Sequence, residues 1–384
     1  MLKSGIIVFA YNRSRHLQAV LNGLQGNEGV KHLYIFHDGL KCEEHRDEWL
    51  KTRNVIENIT WCEKTVYYAE CNKGLANSIV EGVTAVLKEN DTVIVLEDDC
   101  VPAPGFITFM KECFEKYKCN DNIYCISGYG YPLDFPDDES DIYLCGRISS
   151  WGWGTWKERW DMYSQDYTLL QRINADEEKS KNMALWGSDL EAMLVDRVKG
   201  VNNSWAVFWA LHAIENNGMT VYPYESFIEN IGTDGSGVHC GQSDKYKVNS
   251  LSEKRDGFVL PEVPVVLETT KKVFAGLLGS YTAVHGDDES DKEKAVVYGL
   301  GHFFRRNEKE ICDFYNIVAF VDYGKKGWFA GKKILTLEQM KGYTYDKVIV
   351  MLHDLDEAKR VKEKICKECN VSDECVLIGR DYYE

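Results

Sequence analysis

The sequence lacks any uninterrupted apolar run of the length that a transmembrane helix needs. It also lacks a charged-then-apolar leader before the first predicted strand. These absences make a cytoplasmic protein the expectation, with no transmembrane segment and at most peripheral membrane association. Basic residues are in deficit as well, since the formal net charge is −16. Long-range attraction to nucleic acid is therefore not expected.

The 13 cysteines lack the regular spacing of a small disulfide scaffold, which favours a reducing compartment. Cys366 and Cys369 form a C-x-x-C, but the second pair that would complete a zinc site is missing. Because Ala358, Val361 and Ile365 lie on one predicted helical face with Cys369, core packing is the preferred interpretation of this pair.

The negative charge is unevenly distributed along the chain. Residues 291–384 contain 17 lysines and arginines and 17 aspartates and glutamates, so the excess lies in the first 290 residues. An anionic nucleotide bound in that larger part would need a metal ion, backbone N–H groups or a few local cations.

The stretch from Asp91 to Pro102 organises the first part of the chain. Thr92 to Leu96 predict a buried strand, and Glu97-Asp98-Asp99 end that strand with three carboxylates. Carboxylates at the ligand end of a parallel strand suit a hard divalent cation, which can hold nucleotide phosphates. The alternative is a solvated turn that follows a strand.

Strand, loop and helix alternate before this stretch, which predicts a doubly wound α/β domain whose loops gather at one edge. Asn12, Asp38, Lys73 and Asp98-Asp99 all follow predicted strands, so we expect them to converge on one crevice. For Asp38, which precedes a glycine, an ordinary turn is the alternative interpretation.

Tryptophans cluster between Trp151 and Trp160, where glycines separate them. Two interpretations are open. Tryptophan fills protein cores well, and its flat face and N–H donor also suit a sugar ring. Glycines beside the rings would let the backbone approach a ligand closely.

The last part of the chain predicts a small Rossmann-like module. Its predicted strands are Ala295–Tyr298, Ile317–Asp322, Lys347–Leu352 and Cys375–Ile378. Gly299 and Gly301 follow the first of them, but the third glycine of a dinucleotide fingerprint is absent. The predicted organisation is an α/β domain of residues 1–250, a linker or extension of 251–290 and an accessory domain of 291–384, with a structural or assembly role as the default.

Six motifs occur in a specific order over roughly residues 3 to 245. They are FAYNR (9–13), HDG (37–39), NKGLANS (72–78), LEDD (96–99), SSWGWGTW (149–156) and NIGTDGSGVH (230–239). Together they resemble the GT-A fold of nucleotide-sugar glycosyltransferases. The similarity is to bacterial family-2-like enzymes of surface polysaccharide and glycoprotein assembly, which resemble the N-acetylglucosaminyltransferase I type.

The resemblance implies roles for individual residues. Asp99 matches the aspartate of the DxD-type motif that binds Mn²⁺ or Mg²⁺, and His239 matches a closing-loop histidine that approaches the metal. Asp98 and Asp38 match carboxylates near the sugar, ribose and base. The resemblance implies further donor contacts along the nucleotide, and the sugar-ring interpretation of the tryptophan cluster gives candidate acceptor contacts. The donor set is completed by Ala10, Tyr11, Asn12, Arg13, Asn72 and Lys73, and the acceptor set is Trp151 and Trp153.

One departure concerns the catalytic base. The resembling enzymes have a Trp-Asp pair where this chain reads Ser204-Trp205-Ala206-Val207, without a carboxylate. Inversion at the anomeric carbon still requires a base for the acceptor hydroxyl. Asp189 and Glu191 are the candidate substitutes, and Asp161 is a weaker one.

The resulting hypothesis is a metal-dependent, inverting hexosyl- or N-acetylhexosaminyltransferase that uses a UDP-sugar and extends a bacterial surface glycan, glycolipid or glycoprotein. A nucleotidyltransferase is a second hypothesis, although the first loop is not the basic, glycine-rich loop that a triphosphate favours. A carbohydrate-binding scaffold without catalysis is a third. A fourth is NAD binding at Gly299-Leu300-Gly301.

Overall fold

The computed structural model describes residues 2–133, 139–232, 246–285 and 292–379. The chain divides into two compact units. Unit 1 comprises Met1–Asp166 and Met193–Thr270, and unit 2 comprises Tyr167–Ala192 and Lys271–Glu384. This division differs from the expected boundaries at residues 250 and 290, because residues 167–192 belong with the C-terminal part.

Strands and short helices alternate along residues 4–160. The strands are β1 (Ser4–Ala10), β2 (His32–His37), β3 (Glu63–Tyr68), β4 (Thr92–Glu97), β5 (Cys100–Pro102), β6 (Ile123–Ser127), β7 (Ile142–Cys145) and β8 (Trp153–Trp156). The helices are α1 (Ser14–Gln25), α2 (Arg46–Glu57), α3 (Leu75–Val86), α4 (Phe106–Tyr117) and α5 (Lys157–Trp160). A single 3-10 turn, Glu43–His45, precedes α2.

Helices predominate from residue 169 to residue 285. They are α6 (Leu169–Ala175), α7 (Glu177–Gly187), α8 (Leu190–Val198), α9 (Ala206–Glu215), α10 (Glu268–Leu277) and α11 (Tyr281–His285). The strands in this part are β9 (Met219–Pro223) and β10 (Ile228–Asn230).

The C-terminal part again alternates strands and helices. Its strands are β11 (Glu293–Tyr298), β12 (Tyr315–Val321), β13 (Gly327–Phe329), β14 (Lys332–Leu335), β15 (Lys347–Val350) and β16 (Val376–Ile378). Its helices are α12 (His302–Phe314), α13 (Leu337–Met340) and α14 (Leu355–Cys369), and a 3-10 turn, Asp373–Cys375, precedes the last strand.

The main sheet of unit 1 is mixed, with strand order β3-β2-β1-β4-β8-β6-β9-β7. β1 pairs in parallel with β2 and β4, while β8 runs antiparallel to β4 and β6. The chain winds outward from β1 to β3 and then returns to place β4 on the other side of β1. In open α/β sheets, ligands bind beyond the carboxyl ends of the strands at such a reversal.

Apolar periodicity explains the elements that flank this reversal. The side chains of β4 from Thr92 to Leu96 are buried, as expected for a strand covered on both faces. Phe106, Phe109 and Met110 begin the buried face of α4. The side chain of Asn27 accepts hydrogen bonds from the backbone N–H groups of Gly105 and Ile107, which satisfies donors at the start of α4.

The sheet of unit 2 has the order β13-β14-β12-β11-β15-β16, parallel except for β13. This is the winding of a small Rossmann-like sheet. The predicted α/β class, with a doubly wound mixed sheet and a second Rossmann-like sheet, is therefore confirmed. The hairpin of β13 and β14, which extends the sheet at one edge, was not predicted.

Residues 167–192 pack within unit 2 through backbone contacts. The N–H of Ser280 donates to the carbonyl of Ala184 at 2.7 Å, and that of Ser188 donates to the carbonyl of Leu278 at 3.1 Å. A Cβ on Gly327 would lie 2.1 Å from the carbonyl oxygen of Asn174, so the β13 backbone requires glycine for this approach. The segment is thus an integral part of unit 2.

Candidate functional site

The carboxyl ends of β1, β2 and β4 lie side by side in unit 1. The parallel register pairs Phe9 with Glu97 and Ala10 with His37. Asp38 follows β2 directly, and Asp98 follows β4 directly. The fold therefore brings together the polar residues that the sequence placed at separate strand ends.

Arg13 joins the two aspartates that follow β4. Its guanidinium bonds the carboxylate of Asp98, and Nη1 lies 3.0 Å from Oδ2 of Asp99. Asp98 is only 5% exposed, so its charge requires such a partner. Burial alone would lower the pKa of Arg13, but attraction by Asp98 and Asp99 outweighs it and raises that pKa. The arginine is the cation of this site.

Burial and mutual repulsion disfavour the ionised forms of Glu97 and Asp98, which lie near Arg13. Removal from water, followed by repulsion from Asp99 and Asp98, raises the pKa of Glu97 to about 8. Burial also raises the pKa of Asp98, although Arg13 and the backbone of Tyr11 oppose that rise. Two aspartates share one guanidinium, and the raised pKa of Glu97 shows that further negative charge is disfavoured here, so additional positive charge would be favourable.

Asp38 is buried and holds the loop that follows β3. Its Oδ1 accepts hydrogen bonds from the N–H groups of Gly39 and Lys73, both at 2.8 Å, and its Oδ2 accepts one from Gly74 at 2.9 Å. The side-chain amide of Asn72 donates to the carbonyl of Gly39 at 2.8 Å. The carboxylate therefore shapes the predicted nucleotide loop, and donor contacts of Asp38 and Asn72 stay predictions.

The remaining predicted donor residues lie on the same edge. The carbonyl of Ala10 accepts the N–H of Asp38 at 3.1 Å. Asn12 is partly buried between Tyr11 and Arg13 in the chain. The amine of Lys73 lies 2.5 Å from Glu81, an exposed ion pair that a ligand phosphate can compete with at little cost.

A supporting layer of aromatic rings lies beneath this edge and was not predicted. The ring Nε2 of His37 lies 2.9 Å from the carbonyl oxygen of Tyr11, and the His37 ring stacks on Trp49 at 4.8 Å between centroids. The indole N–H of Trp49 donates to the carbonyl of Asp38 at 2.8 Å. Burial lowers the pKa of His37, which favours its neutral form. The signal in the sequence was His37 itself, at the end of a strand.

The chain returns to Asp99 after β10. β10 pairs antiparallel with β5, and the N–H of Ile231 donates to the backbone carbonyl of Asp99 at 2.9 Å. A Cβ on Gly232 would lie 2.3 Å from Oδ2 of Asp99, so only glycine fits here without displacing the carboxylate. The segment that contains His239 follows this glycine. His239 itself lies outside the described residues, and its metal contact stays a prediction.

The two tryptophans predicted to contact the acceptor differ in exposure, which bears on whether they pack the core or could contact a sugar. Trp153 is fully buried and stacks on Trp205 at 4.9 Å, with Trp160 5.7 Å away. The structure corrects the expectation for Trp153, because a ring enclosed on all sides packs the core and has no face open to an acceptor. Trp151 is partly exposed and meets Tyr129 edge to face at 4.8 Å, so its acceptor contact stays a prediction.

The two candidate bases belong to unit 2. Both carboxylate oxygens of Glu191 accept hydrogen bonds from Nζ of Lys325, each at 2.9 Å. Asp189 lies two residues before it, between α7 and α8. Asp161, the weaker candidate, follows α5 in unit 1. Sequence spacing gave no indication of the lysine partner, which is 134 residues away.

The chemistry of the donor groups at the end of β4 suits a hard cation, because carboxylate oxygens are the ligands that Mg²⁺ and Mn²⁺ prefer. Gly232 presents only backbone atoms to Oδ2 of Asp99, which Nη1 of Arg13 contacts at 3.0 Å. Among the residues that the structure describes, no group of three His, Cys, Asp or Glu side chains has the geometry of a complete metal site. A bound metal would be coordinated by Asp99, and its other ligands would come from residues other than Glu97, Asp98 and Arg13.

No helix among the described residues is long and apolar enough to cross a membrane. Comparison with known protein families and with curated proteins finds no match. Solved structures give distant similarities. One is a mannosyltransferase from Pyrobaculum calidifontis in complex with GDP-Man and Mn²⁺, at 11% identity and a TM-score of 0.32, covering 56% of this chain and 70% of that one. Another is GalNAc-T7 with UDP, GalNAc and Mn²⁺, at 12% identity and a TM-score of 0.36, covering 58% of this chain and 43% of that one.

Proposed function

We propose that the chain is a metal-dependent glycosyltransferase that transfers a sugar from a nucleotide sugar, UDP-linked and with inversion, to a glycan, glycolipid or glycoprotein of a bacterial surface pathway. The observation that carries the proposal is the ionic group of Asp98, Asp99 and Arg13 at the reversal of strand order. Anionic ligands with a divalent cation are the chemistry that this group and the adjacent Asp38 loop suit best.

The residues of unit 1 then divide the work of donor binding. Asp99 holds Mn²⁺ or Mg²⁺, with His239 as the second protein ligand. When bound, the metal neutralises the charge that develops on a nucleoside diphosphate leaving group. Asp98 and the loop held by Asp38 contact the sugar, ribose and base. Arg13 orients Asp98 and Asp99 and adds positive charge beside the diphosphate.

The acceptor hydroxyl requires a base, because an inverting transfer is a direct attack on the anomeric carbon. Asp189 and Glu191 are the proposed bases, and the amine of Lys325 binds both oxygens of Glu191. Trp151 is the proposed acceptor contact.

The test of the proposal is a panel of UDP- and GDP-sugars screened for Mn²⁺-dependent binding and hydrolysis by the full chain. We expect at least one donor to be hydrolysed, and Asp99→Asn to reduce that rate by about 100-fold or more because metal-assisted charge neutralisation is lost. Glu89→Gln, an exposed carboxylate on the same part of the chain, is the matched control. Donor binding without any turnover would instead support a carbohydrate-binding scaffold, and triphosphate turnover would support a nucleotidyltransferase.

The base is tested separately. Asp189→Asn should lower turnover by about 100-fold or more while the donor Kd changes little, because general base catalysis contributes that much and the donor site lies in other residues. Near-normal turnover in Asp189→Asn would remove this residue as the base. The same measurement on Glu191→Gln decides between the two candidates.

A further inference from the structure

Unit 2 contains a cavity of about 210 Å³, and Glu191, one of the two candidate bases, is part of its wall. Its wall combines three cationic side chains, one carboxylate and two aromatic rings. They are Arg305, Lys325, Lys326, Glu191, Trp328 and Phe329. All six residues lie within unit 2, so the cavity is a feature of that unit alone. In a chain with a net charge of −16, a cavity with a cationic wall is unexpected.

The cations are held in position by the fold. Asp322 follows β12, and its Oδ1 accepts hydrogen bonds from the N–H groups of Gly324 and Lys325 at 2.9 and 3.0 Å. Its Oδ2 accepts the N–H of Leu300 at 2.9 Å, which ties this loop to the one that follows β11. The loop that carries Lys325 and Lys326 is therefore fixed at the carboxyl edge of the Rossmann-like sheet, where ligands of such sheets bind.

Arg305 lies in the second turn of α12 and packs its guanidinium over the ring of Phe329 at 4.0 Å. Its nearest acidic contact is with Glu308 at 3.9 Å, longer than a hydrogen bond. Oε1 of Glu308 is already engaged by Ser280 and Thr282. Burial lowers the pKa of Arg305, but the carboxylates of Glu308 and Glu191 oppose that change. The guanidinium stays charged and keeps donors for a ligand.

Lys325 and Lys326 differ in their partners. Lys325 binds both oxygens of Glu191, whereas Lys326 is exposed and forms no ion pair within the described ranges. Glu191 thus neutralises one of the three cations and Glu308 offsets part of the charge of Arg305, so the described side chains of the wall keep a net positive charge. A phosphate monoester carries about −1.5 to −2 charge near neutral pH, so it has the sign of charge that this wall favours.

We propose that this cavity binds a small phosphate monoester with a hydroxyl-bearing body, such as a sugar phosphate. The arginine fork and the lysines bind the phosphate oxygens. The rings of Trp328 and Phe329 pack against the organic body, and its hydroxyl groups donate to Glu191. The volume is below the roughly 300–1,000 Å³ of drug-sized ligand pockets, so a complete dinucleotide is too large. The proposal does not depend on glycosyl transfer in unit 1.

Binding to the full chain is measured by calorimetry with glucose 6-phosphate, glucose 1-phosphate and glycerol 3-phosphate, and with inorganic phosphate and glucose as separate arms. We expect at least one ester to bind more tightly than inorganic phosphate, and glucose to bind undetectably. No binding of any ester, or inorganic phosphate binding as tightly as every ester, would overturn the proposal.

Two substitutions in the same wall should act in opposite directions. Lys326→Gln removes a cation and should weaken ester binding about fivefold, whereas Glu191→Gln removes a repulsive carboxylate, frees Lys325 and should tighten it about fivefold. Arg305→Lys keeps the positive charge but loses the planar guanidinium, which can bind two phosphate oxygens at once, and should weaken ester binding about tenfold. Lys367→Gln, an exposed lysine on α14 outside the cavity wall, is the control. Equal or same-direction effects of Lys326→Gln and Glu191→Gln contradict the proposal, and misfolding cannot produce the tightening.

Discussion

The two units use the carboxyl edge of a parallel sheet in opposite electrostatic ways. In unit 1, two consecutive aspartates, Asp98 and Asp99, bind one guanidinium, and Asp98 is buried. In unit 2, the cavity wall contains three cations and one carboxylate, and the side chains of Lys325 and Glu191, which form an ion pair, are 36% and 29% exposed. In the two proposals above, the first edge receives a cation and the second receives an anion. The comparison teaches that one sheet architecture sets where a ligand binds, while the loop residues set its charge.

The difference in burial predicts unequal energetic costs when one partner of each ion pair is removed. Arg13→Gln should lower the free energy of unfolding by about 3 kcal/mol, because it leaves a buried carboxylate without a counter-ion. The measurement is urea denaturation without added metal. Arg15→Gln, an exposed arginine on the first turn of α1, is the control and should change stability by less than about 0.5 kcal/mol. Equal stability of the two variants would refute the electrostatic account of the unit 1 edge.

Alanine substitution of one glycine at each edge tests the same difference between the two units. Gly232→Ala should cost about 1–3 kcal/mol and weaken metal-dependent donor binding, because the new Cβ would lie 2.3 Å from the Asp99 carboxylate. Gly301 begins α12 in unit 2, has a φ of −80°, and has no heavy atom within 4 Å of the position of a Cβ. Gly301→Ala is therefore the control without a steric clash, and it should cost about 0.5–1 kcal/mol because alanine is a poorer N-cap residue than glycine. A larger cost at Gly301 than at Gly232 would reverse the expected order.

The smallest effect is expected at the exposed pair of unit 2. Lys325→Gln should change the free energy of unfolding by less than about 1 kcal/mol, since solvent screens a charge pair of this exposure. Thermal denaturation at low and at high salt measures this, and the difference between wild type and variant should shrink as salt increases. A salt-independent loss as large as that of Arg13→Gln would show that the two edges do not differ as described.

The sequence predicted those parts of the site that lie next to a strand in the chain. Glu97, Asp98 and Asp99 follow β4 directly, and Asp38 follows β2, so the carboxyl-edge rule was enough to bring them together. The partner of Asp98 could not be predicted this way, because Arg13 precedes it by 85 residues and both belong to loops. Trp151 and Trp153 show the same limit, since one sequence motif supplies both a partly exposed ring and a fully buried one.

Local patterns of apolar, polar and glycine residues determined the α/β class, the strands of the parallel halves and the acidic end of β4, because those patterns depend on spacing within one element. Tertiary structure decided which charges meet. Ala184 bonds Ser280 and Glu191 bonds Lys325 across more than 90 residues, which assigns residues 167–192 to unit 2 and forms a cavity from three separate segments. Such contacts depend on packing and on the neutralisation of charges removed from water. Neither leaves a periodic signal in the sequence.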